Sequence, residues 1–196
     1  MTVALAPRDP RRSPTRRVEL DDVTLARAQR GDPVAWRALV EFHQGAVFAL
    51  LGRLLGGGRR AQVEDLAQET FLAVFRQLAG FSPLGPARLS TWILTIASRR
   101  AIDELRRAPA APLSADDLAD RGRADDALVR RRLARAIDAA LAELPPEYRA
   151  AFVLRELHGL EYAEIARALE IDLGTVKSRL ARARAGLRTA LAEVLP

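Results

Sequence analysis

The sequence predicts an all-α protein with two small helical domains joined by a flexible linker, the C-terminal domain being a helix-turn-helix. Apolar residues recur every three to four positions along most of the chain, and no window alternates convincingly at period two. Residues 108–125 interrupt this pattern with two prolines and four aspartates, which indicates a linker. Near the C-terminus only a short turn separates two helical stretches, as is typical of a helix-turn-helix.

Composition and charge narrow the possible functions. The chain of 196 residues is 49% hydrophobic and 29% charged, so it can bury a core. It contains no cysteine and only two histidines, which excludes disulfides, thiol nucleophiles and cysteine-based zinc sites. No stretch approaches eighteen consecutive apolar residues and no signal peptide is evident, so we expect a cytoplasmic protein without membrane insertion. The net charge of +6 favours a polyanionic partner, and His43 and His158 are interpreted as structural.

The first domain is predicted at residues 21–107, after a disordered basic tail at residues 1–20. Asp32 before Pro33 is typical of a helix start, because an N-cap residue is followed by proline at the first helical position. The glycines at 56–58 are interpreted as a turn rather than a phosphate-binding loop, because no strand precedes them. Apolar spacing predicts three long helices, which cover residues 34–55, 62–78 and 90–107.

The second domain is predicted at residues 126–196, and its last helix separates two faces when plotted at 100° per residue from Thr175. The buried stripe comprises Val176, Leu180, Ala183, Leu187 and Leu191. The outward face comprises Ser178, Ala181, Arg182, Ala185 and Thr189, with Lys177, Arg179, Arg184 and Arg188 on its flanks. Small residues let a helix approach base edges, a long donor reads them, and flanking cations meet phosphates. Since residues 174–190 contain no acid, the pattern favours DNA contact over a solvated basic face.

The preceding helix completes the predicted helix-turn-helix. Its apolar stripe comprises Tyr162, Ile165, Ala166 and Leu169. The turn that follows begins at Glu170, a position at which such turns often carry glycine. A left-handed backbone at Glu170 is therefore expected to cost about 1 kcal/mol.

The run LPPEYRAAFVLRELHGLEYAEIARALEIDLGTVKSRLARARAGLR resembles region 4 of extracytoplasmic-function sigma factors, the promoter-recognition subunits of bacterial RNA polymerase. The resemblance implies that the last helix reads the −35 promoter element and that Arg149 meets the DNA backbone. The residues implied for −35 binding are Arg149, Thr175, Lys177, Ser178, Arg179, Arg182 and Arg184.

The run DLAQETFLAVFRQL is similar to region 2.2 of the same family, the helix that docks on the clamp helices of the polymerase β′ subunit. On a helix, Leu72 falls in the middle of a polar face, and an apolar residue there indicates a partner surface. Phe71 falls on the core face and is assigned to packing. The residues implied for core-polymerase binding are Asp65, Gln68, Glu69 and Leu72.

The run STWILTIASRRAIDELRR resembles regions 2.3 and 2.4, which melt and read the −10 element. Family members commonly read IARN where this chain has Ile-Ala-Ser-Arg at residues 96–99, so the asparagine is missing. The arginines supply phosphate contacts, and Trp92 either stacks on an unpaired base or packs in the core. The residues implied for −10 binding are Trp92, Arg99, Arg100, Arg106 and Arg107.

The resemblance covers residues 22–107 and 126–192 and implies a promoter-specificity subunit with no catalytic residue, metal or cofactor. The implied partners are core RNA polymerase, through its β′ clamp helices and β flap, promoter DNA and an anti-sigma factor. One alternative is a free-standing helix-turn-helix regulator, which would carry a dimerisation surface or ligand domain in place of the region 2 pattern. Another is a helical nuclease or recombinase, which would need clustered acids for a metal, and a flexible Asp-rich linker cannot preorganise them.

Overall fold

The chain is described by a computed structural model at residues 19–56, 58–107 and 124–194. Residues 1–18 of the predicted basic tail and nearly all of the predicted linker lie outside these ranges. Within them all regular structure is helical, which confirms the predicted class. The α-helices are α1 (Asp22–Gln29), α2 (Pro33–Leu55), α3 (Arg60–Gln77), α4 (Leu89–Arg107), α5 (Ala124–Glu143), α6 (Pro146–Phe152), α7 (Tyr162–Leu169) and α8 (Leu173–Val194).

The long helices α2, α3 and α4 lie where the apolar spacing predicts them, with ends that differ by one or two residues. The Asp32 carboxylate accepts hydrogen bonds from the backbone N–H groups of Val34 and Ala35, so the predicted N-cap is confirmed. A short 3₁₀ turn, Leu78–Gly80, follows α3 and leads into a loop. That loop ends at α4, whose first turn is held by bonds from Ser90 to the Glu19 carboxylate.

Helix α2 is the central helix of the N-terminal half. It is the one helix among the described residues whose length and mean hydropathy of 1.3 would let it cross a membrane. The sequence criterion of an unbroken apolar run misses it, because a few charged residues interrupt it. Eight of its residues are buried in the protein core. An apolar composition that would suit a membrane span therefore belongs here to a helix of the protein core.

The C-terminal half differs from the prediction in two details. Helix α5 begins at Ala124, two residues before the predicted start of the second domain at residue 126. After α6 the chain continues as a π-helical turn, Val153–Leu157, in which the His158 N–H donates to the Val153 carbonyl. Glu170 adopts the left-handed conformation that the turn requires, at φ 54° and ψ 47°. The predicted helix-turn-helix is thus formed by α7, a turn at Glu170 and α8.

Helices α1–α4 and helices α5–α8 pack against each other and share one hydrophobic core. Helix α7 lies on α4, and α5 and α6 contact α2. Leu54 of α2 and Leu141 of α5 are both fully enclosed in this core. The sequence patterns predict the two helical units but not this packing between them.

Candidate nucleic-acid and polymerase interfaces

Helix α8 has the two faces that its sequence predicts. Val176, Leu180, Ala183 and Leu187 are buried against the C-terminal helices, which fixes the rotation of α8. The opposite residues Ser178, Ala181, Arg182, Ala185 and Thr189 are all exposed. The outward face therefore presents small side chains and one guanidinium, as a helix entering a major groove requires.

Asp172 caps the N-terminus of α8. Its carboxylate accepts from the Thr175 N–H at 2.8 Å and from the Thr175 hydroxyl at 2.6 Å. These bonds hold the pKa of Asp172 below its ordinary value. A Cβ added at Gly174 would lie 2.9 Å from the same carboxylate, so glycine leaves the room that the capping side chain occupies. The cap uses the Thr175 hydroxyl internally and orients the first turn of the predicted reading helix.

Arg182 lies over Tyr148 of α6, a residue that the sequence patterns did not single out. The guanidinium donates to the Tyr148 hydroxyl at 2.9 Å and sits 5.9 Å from the ring centroid. Tyr148 therefore holds Arg182 at the outward face. Helical periodicity could not reveal this contact, because it joins side chains from two elements 34 positions apart.

Two arginines of the predicted −35 set differ from their expected placement. Arg184 is half-buried and donates to Glu156 at 2.7 Å, and this bond raises its pKa. Its charge is therefore already paired inside the C-terminal half. Arg149 is only 5% exposed, and burial lowers its pKa. It is not at the surface in this arrangement, because buried carbonyl groups bind its guanidinium.

The polar face of α3 is exposed as predicted. Asp65, Gln68 and Glu69 are solvent-accessible, and Leu72 is 55% exposed. Phe71 is 9% exposed and belongs to the core, which confirms its assignment to packing. Phe75, which the sequence analysis did not identify, is also 55% exposed and contacts Trp36 of α2 edge-to-face at 5.0 Å. The α3 face thus combines polar groups with an apolar patch of Leu72 and Phe75.

The cations predicted for −10 binding line α4, and several have acidic partners. Arg100 donates to Glu69 of α3 at 2.5 Å, so a residue of the predicted polymerase set is paired with one of the −10 set. Arg106 forms ion pairs with Asp103 and with Glu147 of α6. Ion pairs therefore join α4 to α3 and to α6.

Arg99 and Trp92 complete the predicted −10 set with the exposed Arg107. Arg99 donates to backbone carbonyls at the end of α7. Trp92 is half-buried, and its ring centroid lies 5.1 Å from that of Phe81. This packing corresponds to the core interpretation of Trp92, although Trp92 also lines an open surface pocket beside the loop after α3.

Comparisons with known proteins match both halves. Residues 39–110 match the family described as sigma-70 region 2, and residues 134–187 match sigma-70 region 4. The chain is similar to the RNA polymerase sigma-H factor of Pseudomonas aeruginosa, with 33% identity over 190 residues, 90% of this chain and 96% of the relative. It is also similar to the ECF RNA polymerase sigma-E factor of Escherichia coli K12, with 32% identity over 84% of this chain and 90% of the relative.

The fold resembles a solved structure of CnrH in complex with the cytosolic domain of CnrY. The TM-score is 0.61 at 27% identity, with 89% of this chain and 97% of that chain covered. A region 2 match where a free-standing regulator would carry another module favours the sigma-factor interpretation over that alternative. The chain therefore belongs to the extracytoplasmic-function sigma factors of the sigma-70 family.

Proposed function

We propose that this sigma factor directs core RNA polymerase to promoters by dividing the work between its two halves. Residues 126–196 form the region 4 domain, in which α8 reads the −35 element. Residues 21–107 form the region 2 domain, in which α3 docks on the β′ clamp helices and α4 captures the −10 element. Residues 108–125 link the two domains. The observation that carries the proposal is the exposed, acid-free face of α8 around Arg182, opposite an apolar stripe that is buried from Val176 to Leu187 and partly buried at Leu191.

The −35 contacts are assigned by position on α8. Arg182 reads a base edge, because it projects from the middle of the small outward face and a guanidinium pairs with guanine. Ser178 lies one turn earlier on the same face, and Lys177 and Arg179 lie beside it to meet phosphates. Their side chains reach opposite sides of a groove, as a docked helix requires.

The −10 contacts are assigned to one edge of α4. Arg100, Arg106 and Arg107 neutralise phosphates of the melted strand, and Arg99 joins them when its carbonyl partners are released. Arg149 and Arg184 contribute to DNA binding only after they, too, release their present partners within the protein. Within each set the arginines therefore differ in how freely they can contact DNA.

The chain itself performs no chemistry in this proposal, because polymerase carries out the synthesis. It acts in the cytoplasm, with the polymerase β flap as a second contact for the region 4 domain. The solved relative CnrH is bound to a cytosolic domain of a second protein. An anti-sigma factor is proposed as the corresponding partner here.

A transcription assay on a promoter library tests this function. Core polymerase is incubated with the purified chain and DNA templates in which the −35 and −10 positions are randomised, and the transcripts are sequenced. We expect one pair of elements to be strongly enriched relative to core polymerase alone. Sequence-specific binding to DNA without any transcript would instead favour a free-standing helix-turn-helix regulator.

A further inference from the structure

Tyr148 of α6 is held in place by contacts within the C-terminal half. Its backbone N–H donates to the Pro145 carbonyl at 2.9 Å in the first turn of α6, and its side chain packs against the hydrophobic core. The next residue, Arg149, anchors the same turn, because its guanidinium donates to the Ala142 and Leu144 carbonyls at 2.6 and 3.0 Å. Helix α6 also packs on α8. The Tyr148 hydroxyl therefore has a set position relative to α8, and a rigid aromatic side chain holds it there.

Arg182 of α8 makes two contacts with this fixed tyrosine. One terminal nitrogen donates to the Tyr148 hydroxyl oxygen at 2.9 Å, and the guanidinium carbon lies 5.9 Å from the ring centroid. A free arginine side chain samples many rotamers, and each contact restricts that choice. A guanidinium carries five N–H groups, so one bond to tyrosine leaves four of them. Two are enough for a bidentate contact with the O6 and N7 atoms of guanine.

The group that holds Arg182 is neutral, whereas the group that holds Arg184 is an acid. Arg184 is paired with the Glu156 carboxylate, which neutralises its charge. The hydroxyl and ring of Tyr148 restrain Arg182 and leave its positive charge available to DNA. No carboxylate in the described part of the chain forms an ion pair with Arg182, and the residue is exposed. Arg182 is therefore both oriented and unneutralised, which is the state that base reading requires.

We propose that Tyr148 is a specificity-determining positioning residue for the −35 element. It selects the conformer in which Arg182 projects from the outward face of α8 toward a base edge. The proposal rests on the function proposed above, in which Arg182 reads that base. Tyr148 itself makes no base contact in this proposal. Because it lies on α6, the base preference at one position depends on two elements of the fold.

Binding of the complete holoenzyme to a −35 library tests the role of Tyr148. Core polymerase with the full-length chain is incubated with promoter fragments that keep the −10 element enriched in the transcription assay and are randomised at the −35 positions. Bound and free fragments are then sequenced. Tyr148→Phe removes the hydroxyl and keeps the ring, whereas Tyr148→Leu removes both contacts and keeps an apolar side chain. Arg182→Ala and the double variant Tyr148→Phe/Arg182→Ala complete a double-mutant cycle.

Tyr162→Phe is the matched control, because Tyr162 is the other tyrosine of the chain. Its ring also lies beneath an arginine, with the Arg155 guanidinium 5.1 Å from the ring centroid. The control thus removes the same hydroxyl from a tyrosine–arginine pair on α7 and leaves the pair at Arg182 intact. It should keep the parent preference at every −35 position.

In Tyr148→Phe we expect the preference at the base pair read by Arg182 to fall about fivefold, the effect of one lost hydrogen bond. In Tyr148→Leu it should fall further, toward the value of Arg182→Ala. Preferences at the other −35 positions and the salt slope should stay unchanged, since no phosphate contact is lost. In the Arg182→Ala background, Tyr148→Phe should change nothing more, because no guanidinium is left to position.

A purely structural role of Tyr148 would give a different result. Loss of folded protein lowers the amount of every complex alike and leaves the ratios between sequences unchanged. Parent-like preference in both tyrosine variants would therefore overturn the proposal, and so would a loss of preference that persists without Arg182. If Arg182→Ala flattens the preference and the tyrosine variants do not, the positioning role falls and the proposed −35 function stands. If the parent holoenzyme shows no −35 preference at all, the −35 function falls and the positioning role falls with it.

Discussion

Buried His43 couples protonation of a core side chain to folding. Its side chain is in the core with 3% exposure, and its ring centroid lies 4.9 Å from that of Phe42. The Nε2 atom has no hydrogen-bond partner among the described residues. Burial lowers the pKa of His43, and the negative charge of Glu19 opposes this only in part. The neutral imidazole is therefore the form that the core accepts.

We expect the free energy of unfolding to fall as the pH drops below about 6.5, the ordinary histidine value. Below that pH the unfolded chain takes up a proton that the folded chain resists, so the loss continues down to the lowered pKa of the folded state. Urea titrations across this range should show that His43→Leu reduces the slope, because leucine fills similar space and does not titrate. An unchanged slope in His43→Leu would place the pH sensitivity elsewhere.

Within α8, Arg182 is proposed to read a base edge and Lys177 to contact a phosphate, so substitutions at the two positions should have different effects. Arg182→Ala should cost about 1–3 kcal/mol at the cognate −35 element and flatten the preference at one base pair. Lys177→Ala should weaken all sequences alike and reduce the salt slope by about 0.9. The structure makes Lys177 a better phosphate probe than Arg184, whose charge Glu156 already pairs.

Binding across a −35 library at several salt concentrations checks both expectations. If Lys177→Ala changed the base preference while Arg182→Ala lowered every sequence equally, α8 would enter the groove in a different rotation. Tyr148→Phe serves as the control, since it removes the hydrogen bond to Arg182 and keeps the ring beneath it.

At the scale of the element, the turn between α7 and α8 stores backbone strain at Glu170. Glycine adopts a left-handed conformation without a clash because it has no Cβ atom, whereas alanine has a Cβ atom and retains the clash. Glu170→Gly should therefore be more stable than Glu170→Ala by about 1 kcal/mol. Both variants lose the exposed ion pair to Arg99, so their difference isolates the backbone. Urea unfolding of the two variants measures it, and equal stabilities would show that the turn relaxes.

Helix α3 offers a test of polymerase docking that leaves the fold intact. Leu72→Ala and Gln68→Ala should each weaken binding of core polymerase, because both side chains lie on the outward face. Glu69→Ala is a less direct probe, since it also releases Arg100. Binding is measured with labelled chain and purified core polymerase, and circular dichroism reports helicity.

Val63→Ala provides the contrasting variant for that experiment, since Val63 packs against the core on the opposite side of α3. It should lower stability and leave the affinity of folded protein for polymerase unchanged. Unchanged affinity in both Leu72→Ala and Gln68→Ala would remove this face from the interface.

At the scale of the whole molecule, the composition of residues 108–125 predicts that trypsin cuts first at Arg121 or Arg123. Because both halves contribute to one hydrophobic core, we expect the two fragments to stay together after cleavage. Size-exclusion chromatography of the nicked protein, with denaturing gels of each fraction, distinguishes one peak from two. Separate elution of folded fragments would show that the packing between the halves is weak, and resistance at both arginines would contradict the linker.

Most of the fold could be predicted from the sequence, because the spacing of apolar residues along each long helix indicates which side of that helix is buried. The buried stripe of α8, the N-cap at Asp32 and the left-handed Glu170 all follow from local spacing and residue type. The spacing of apolar residues does not indicate how the two halves pack against each other. Its key contacts join arginine side chains to backbone carbonyls, as Arg99 and Arg149 show, and every residue offers a carbonyl. Residue types alone therefore could not indicate which arginines are exposed.

The carboxylate of Glu164 takes part both in the N-terminal cap of α7 and in the contact between α7 and α4. One oxygen accepts from the Glu161 N–H at the start of α7, and the other accepts from Thr91 of α4. While the halves are closed, both oxygens are held and the first turn of α7 is protected. Once they separate, this carboxylate regains rotational freedom, and the Glu161 amide exchanges its hydrogen with solvent more readily. Hydrogen exchange at the Glu161 amide therefore reports how firmly α4 and α7 are held together.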